Sequence, residues 1–302
     1  MEVEFRPGFT IYRKKGRGIS WIAPHSGHSF WIPDSRDEET DTVASLCWMK
    51  EGGNLLLADT PRSRDFGIDF NRAAPGKKDA LSYHMKYETR EMSNVFWSKY
   101  MDKYAWTASD ERDHNMRLGI YRDFWNSADE KDSIVIIHRM MSRLSNSYSV
   151  MDVTGFGISA SEMEKAVKSV NRKFRKVFDK RRNDFIDFIL LLAHERFHYI
   201  HDKLDIEHVF NEFYDQDLKF LGIDECTENG FVETARLKMK KMKPEVTFRK
   251  FFIGKLSHGI KNISRGKKVL QIEVSSFLCN WYPDIASIII TKLSEELLVK
   301  KK

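Results

Sequence analysis

Between Ile19 and Arg72, short apolar runs of strand length alternate with one segment of helical length, and this alternation narrows the fold to the α/β class. Ile19 to Ala23 (ISWIA) reads as a strand that Pro24 to Gly27 brings to a stop. Asp37 to Met49 follows as a helix, with acids in its first turn to suit the positive end of the dipole, and Gly52-Gly53 ends it. Leu55 to Ala58 is the next strand. Ile68 and Phe70 alternate with Asp69 and Asn71, which predicts another strand end over Gly67 to Asn71 before the Pro75-Gly76 turn. The reading is one domain over residues 1–302, three layers (α/β/α) around a mixed central sheet.

Elsewhere the pattern is coarser. Met1 to Gly16 reads as a polar lead-in with a turn at Pro7-Gly8. Residues 79–130 are dense in Trp, Tyr, Met and charge. They predict amphipathic helices that form either an insertion or lid over a site, or a layer packed on the sheet edge. Ser133 to Ile137 is a β-branched apolar run followed by His138, and Tyr148 to Val153 is a further strand. Helical spacing covers Ala160 to Phe178, Asp184 to Asp202, Phe210 to Leu221 and Phe231 to Met242. Val269 to Val274 is a strand, and Ile285 to Val299 is a closing amphipathic helix.

Composition removes several classes. No apolar stretch approaches the length of a membrane span, and the first residues lack the basic and apolar regions of a signal peptide. Cys47, Cys226 and Cys279 are odd in number and far apart, which argues against a disulfide framework and for a reducing, cytoplasmic setting. The net charge is +6, with basic runs at Lys165 to Arg182, Lys238 to Lys243 and Lys300 to Lys302. They read as solvated helix faces in preference to a nucleic-acid surface, since no groove-reading or single-strand motif accompanies them. A basic face also attracts a small anionic substrate.

The chemistry gathers in the same N-terminal stretch. His25 stands where a strand gives way to a loop, the place where α/β proteins put their reactive groups. The acidic cluster from Arg36 to Asp41 and the GIDFNR segment from Gly67 to Arg72 add carboxylates and a guanidinium, the makings of a metal-and-anion site. Glu273 lies on an otherwise apolar strand, where a carboxylate is costly to bury unless paired and tends to a raised pKa, as a general base requires.

PHSG at Pro24 to Gly27, Glu39-Thr40-Asp41 before a helix, DFNR at Asp69 to Arg72 and VLQIEVSS at Val269 to Ser276 together resemble the N-formylglutamate amidohydrolases, part of the zinc carboxypeptidase-like hydrolases. The resemblance implies a metal-dependent amidohydrolase. His25 and Glu39 would be zinc ligands, with Asp41 an alternative ligand or an outer partner. Asn71 and Arg72 would hold a substrate carboxylate, and Glu273 would be the catalytic base. Met151 to Gly157 stands where the family has Asp-x-His, but the chain reads Asp152-Val153-Thr154, so the third ligand is replaced by Thr154. His28 or His138 could substitute for it, and His138 is also a candidate for substrate binding.

Two other readings compete. His194-Glu195-x-x-His198 on a helix puts two imidazoles on one face with a glutamate beside them, as in zincin metalloproteases, with Glu225, Glu228 or Glu233 as possible third ligands. Alternatively, the chain is a non-catalytic member of the hydrolase fold that binds an anion or a partner.

Overall fold

The computed structural model describes residues 1–28, 36–63, 66–87, 104–140, 144, 149–201, 217–223, 227–249, 263–264 and 266–299, apart from the side chains of residues 87, 195–201 and 228. The strands are β1 (Glu2–Arg6), β2 (Phe9–Lys14), β3 (Ile19–Ala23), β4 (Gly53–Ala58), β5 (Ser133–Met140), β6 (Ser149–Phe156), β7 (Glu245–Phe248) and β8 (Lys268–Ser275). They form one sheet in the order β1-β2-β4-β3-β5-β8-β6-β7. β4, β3, β5 and β8 are mutually parallel, whereas β2 runs antiparallel to β4 and β6 antiparallel to β8. The helices are α1 (Thr40–Glu51), α2 (Lys77–Tyr87), α3 (Glu111–Ala128), α4 (Ala160–Lys180), α5 (Arg182–His201), α6 (Glu228–Met239), α7 (Ser276–Trp281) and α8 (Pro283–Leu297).

Strand alternation sorts the sheet into two faces. On one face Trp21, Leu55, Val135, Ile137, Ile272 and Val274 pack against α1, α4, α5 and α8. On the other, Ile22, Leu56, Ile134 and Ile136 pack against Tyr121, Phe124, Trp125 and Ala128 of α3. The three-layer α/β/α fold expected from the sequence is therefore the one observed. Within residues 79–130, α3 is the layer on the second face. α2 is largely exposed, and residues 88–103 lie outside the described residues. No helix among the described residues is long and apolar enough to cross a membrane.

Because α3 carries the second core, Trp125→Ala is expected to destabilise the protein by about 3–5 kcal/mol, since it opens a cavity and leaves a buried carbonyl unpaired. Trp125 is fully buried, and its indole N–H donates to the Phe70 carbonyl at 2.8 Å. The midpoint of denaturant unfolding measures this. A helix acting only as a lid would give a change below about 0.5 kcal/mol.

Two segments differ from the sequence reading. The N-terminal lead-in is a β-hairpin. Gly8, at φ 79°, makes the turn, and Arg6 pairs with Phe9 across it. Phe9 and Ile11, alternating with Thr10 and Tyr12, supply the apolar side that fixes β2 against the sheet. Gly67 to Asn71 is a turn and not a strand. The Asp69 carboxylate accepts from the Asn71 N–H at 2.8 Å, which curls the chain, while Phe70 is drawn into the core under α3.

The β3–α1–β4 unit sets up the site. Two indoles lock its closing turn: Trp21 donates to the Gly52 carbonyl and Trp48 to the Gly53 carbonyl, each at 3.0 Å. Gly53 has φ 92°, and a Cβ there would meet the Ile19 carbonyl oxygen at 2.2 Å, so only glycine fits. From β3 the chain turns to β4 on one side, and β5 lies on the other. The carboxyl ends of β3 and β5 thus flank a point where the strand order reverses, the crevice in which open α/β sheets hold their ligands.

Candidate metal centre

His25 and His138 come from the two strands at that crevice. His25 follows β3 by two residues, and His138 lies in β5, on the α3 face with Ile134 and Ile136. Between them stands Asp37, in the loop that leads into α1. Its Oδ2 is 3.3 Å from His25 Nδ1 and 3.0 Å from His138 Nδ1. One donor atom from each of these three buried residues lies within 4.8 Å of the others, so the His25–Asp37–His138 cluster could hold a metal ion.

The loop is built to present Asp37. Its N–H donates to the His25 carbonyl at 3.0 Å, and its own carbonyl accepts from the Thr40 N–H at 3.2 Å and hydroxyl at 2.6 Å. These bonds delay α1 until Thr40, three residues later than the sequence pattern suggests, and leave Glu39 at φ 62°. A bulky residue in the left-handed region stores strain that such a fixed environment sustains.

An outer layer of charge surrounds the cluster. Arg62 Nη2 contacts Asp37 Oδ1 at 2.6 Å, Asp69 Oδ1 contacts His25 Nε2 at 2.9 Å, and Arg72 approaches Asp69 Oδ2 at 3.6 Å. Burial opposes ionisation of Asp37, but Arg62 and the two imidazoles outweigh it and hold the carboxyl well below the usual range. Asp69 is likewise depressed despite its burial, by His25 and then by the two arginines. Burial and Arg62 disfavour the charged form of His25, yet Asp69 and Asp37 together raise its pKa.

With Asp69 ionised, His25 Nε2 must donate to it. Nδ1 is then the atom turned toward Asp37, the tautomer arrangement of a carboxylate-buttressed metal-binding histidine. Two imidazole nitrogens facing one carboxylate oxygen are compatible with bound protons or with a cation that displaces them. Among the described residues His138 Nε2 is buried without a hydrogen-bond partner, as at a site built to meet a further group. The donors present thus fit a divalent ion of the kind held by two histidines and a carboxylate.

Glu273 stands one strand over. It pairs in register with His138 across β5 and β8 and faces the same side of the sheet, next to Gln271, whose amide donates to it at 3.2 Å. Burial pushes its carboxyl up. His138 draws it down, and the Asp37 carboxylate adds to the rise.

The structure places the sequence candidates as follows. His25, His138, Glu273 and Arg72 gather around one site. The Asn71 backbone joins them through Asp69. Glu39 accepts from the Thr42 hydroxyl at 2.8 Å and Asp41 pairs with Arg36 at 2.9 Å, and neither belongs to the cluster. The clustered carboxylate is Asp37, two residues before Glu39. It was legible only as one member of an acidic run, since nothing in the spacing says where the helix begins. Thr154 donates to the Arg249 carbonyl at 3.0 Å, and the second imidazole comes from His138. Asp69 stood in the DFNR motif without a role of its own, and Arg62 carried no motif signal. His28 is exposed, 3.4 Å from Arg36. His194 is exposed on α5 and lies outside the cluster, while the side chains of Glu195 and His198 fall outside the described residues. Of the third-ligand candidates for that motif, Glu225 and the Glu228 side chain are also outside them, and Glu233 is exposed on α6.

Asp69→Asn is expected to lower metal affinity about 10–100-fold while leaving the ligand count unchanged, the usual result of losing an outer carboxylate on a ligating histidine. Competition with a chromogenic chelator measures it. Unchanged affinity would mean that Asp69 serves only the fold.

Comparisons of the chain with protein-family models, with curated proteins and with solved structures give no match.

Proposed function

We propose that this protein is a metal-dependent amidohydrolase acting on a small amide that bears a carboxylate. The observation that carries the reading is the convergence of His25, Asp37 and His138 at the strand-order reversal, with Glu273 beside them. The sequence resemblance to N-formylglutamate amidohydrolases supports the same chemistry and makes zinc the metal of choice. Bound at His25, Asp37 and His138, zinc would supply a water of lowered pKa and polarise the amide carbonyl.

The chain's own residues divide the remaining work. Asp69 fixes the His25 tautomer, and Arg62 holds Asp37 in place. Glu273, with its raised pKa on a partly buried strand, takes the proton from the attacking water and returns it to the leaving nitrogen. Arg72 keeps about a quarter of its side chain exposed (27%), and among the described residues its ion pair is a 3.6 Å contact to Asp69. Its planar fork therefore retains donors for two parallel bonds to a substrate carboxylate.

The test is hydrolysis of N-formyl and N-acetyl amino acids by the purified protein, before and after chelation. Turnover is expected with zinc, is lost on chelation and returns on adding zinc back. In Arg72→Lys, KM should rise about tenfold or more with kcat less affected, because a point charge cannot reproduce the bidentate fork. A zinc-loaded protein that hydrolyses none of these amides overturns the proposed activity.

A further inference from the structure

The two internal basic runs of the sequence become one surface in the fold. On α4, Lys165, Lys168, Arg172 and Lys176 are all exposed and recur three or four residues apart, so they line one side of the helix over about 17 Å. Arg175 is not counted with them, because Asp179 holds it at 3.2 Å. Beside this row lies the segment after α6, with Lys240, Lys241 and Lys243 also exposed. Two tie points fasten it there. Arg182 donates to the Lys240 carbonyl. Asn171, between Lys168 and Arg172, exchanges two 2.8 Å hydrogen bonds with the backbone of Val246. The acids on α4 are Glu162, which accepts from the Ser159 hydroxyl at 2.7 Å, Glu164, and Asp179, which pairs with Arg175.

We propose that this surface binds the phosphate backbone of a nucleic-acid duplex without reading its sequence. A straight row of cations on a rigid helix matches a polymer that carries one charge per about 1.7 Å of axis. The apolar side of α4 is buried on the sheet, and none of its exposed residues is a large hydrophobe. The helix therefore offers charge and hydrogen bonds but nothing to insert into a lipid layer. Among the described residues, this surface carries no motif that would enter a groove, so the contacts are to phosphates, which position but do not specify.

The experiment is a fluorescence-anisotropy titration of a labelled mixed-sequence DNA duplex of about 20 base pairs, long enough to span the row. Micromolar binding is expected at about 50 mM salt, weakening about 10²-fold by about 200 mM, as four or so phosphate contacts would require. Lys168→Glu/Arg172→Glu/Lys176→Glu should weaken binding by at least about tenfold, and so should Lys240→Glu/Lys241→Glu. The control Lys14→Glu/Lys15→Glu/Lys131→Glu changes as many charges as the α4 triple variant, around a separate cavity, and should have an effect below about threefold. Thermal midpoints check that each variant is folded, and single Lys→Gln changes on α4 replace any that is not. Three results overturn the proposal: no duplex binding at low salt, equal loss in the control, or binding to phosphatidylserine vesicles without binding to the duplex.

Discussion

Replacing His25 by alanine should take the zinc content of the purified protein from about one per chain to near zero, while His194→Ala leaves it unchanged. The effect should exceed the roughly 10–100-fold loss that follows removal of an outer partner, because a first ligand sets both the geometry and the charge of the site. His25 approaches Asp37 at 3.3 Å and is buttressed by Asp69 at 2.9 Å, whereas His194 is exposed on α5. His138→Ala and Asp37→Ala should behave as His25→Ala does. Removing either imidazole also leaves ionised Asp37 less compensated, and removing His25 does the same to Asp69, so folding is to be monitored alongside by near-ultraviolet circular dichroism. Elemental analysis after refolding with excess zinc is the measurement. Zinc lost only in His194→Ala would move the metal to the helical His-Glu-x-x-His motif. No zinc in any variant or in the parent would leave the cluster as a hydrogen-bonded ion network.

The second large effect is expected at Glu273. Glu273→Gln preserves the shape of the side chain and its place beside Gln271 but removes the proton acceptor. The value of kcat should fall about 10²–10⁴-fold, the range a positioned general base contributes, with zinc content and KM nearly unchanged. The register pairing with His138 brings this carboxylate to the cluster, and burial raises its pKa, as the proposed base requires. A structural glutamate would show the opposite pattern, a lower unfolding midpoint with activity per folded molecule intact.

These two positions show how unevenly the site could be read from the chain. His25 was legible because an apolar β-branched run that stops at Pro-His is local information, and Glu273 because a carboxylate in a strand of apolar residues is an anomaly wherever the strand lies. Asp37 was visible only as one acid in a row of them. Choosing it over Glu39 or Asp41 requires knowing that its N–H is committed to the His25 carbonyl, which postpones the helix to Thr40. His138 stood out as a residue after an apolar run, but that it meets Asp37 depends on β5 lying next to β3, a pairing between residues more than a hundred positions apart in sequence. Arg62 sits in a loop whose residue types say nothing about direction.

The sequence by itself determined the layer class, most of the strands and helices and the first member of the site, because periodicity and turn chemistry act over a few neighbouring residues. Where Gly53 and its two indoles close the β3–α1–β4 turn, those local signals and the fold agree. Tertiary structure alone decided that Met1 to Lys14 forms a hairpin on the sheet, that Asp69 curls out of a strand-like pattern, and that α3 is a layer beneath which Phe70 is buried. It also decided that His138 supplies the second imidazole, and that two distant lysine runs share one face. Strand order, register and packing are settled by contacts between residues far apart in the chain, and their energies appear only once those residues are brought together.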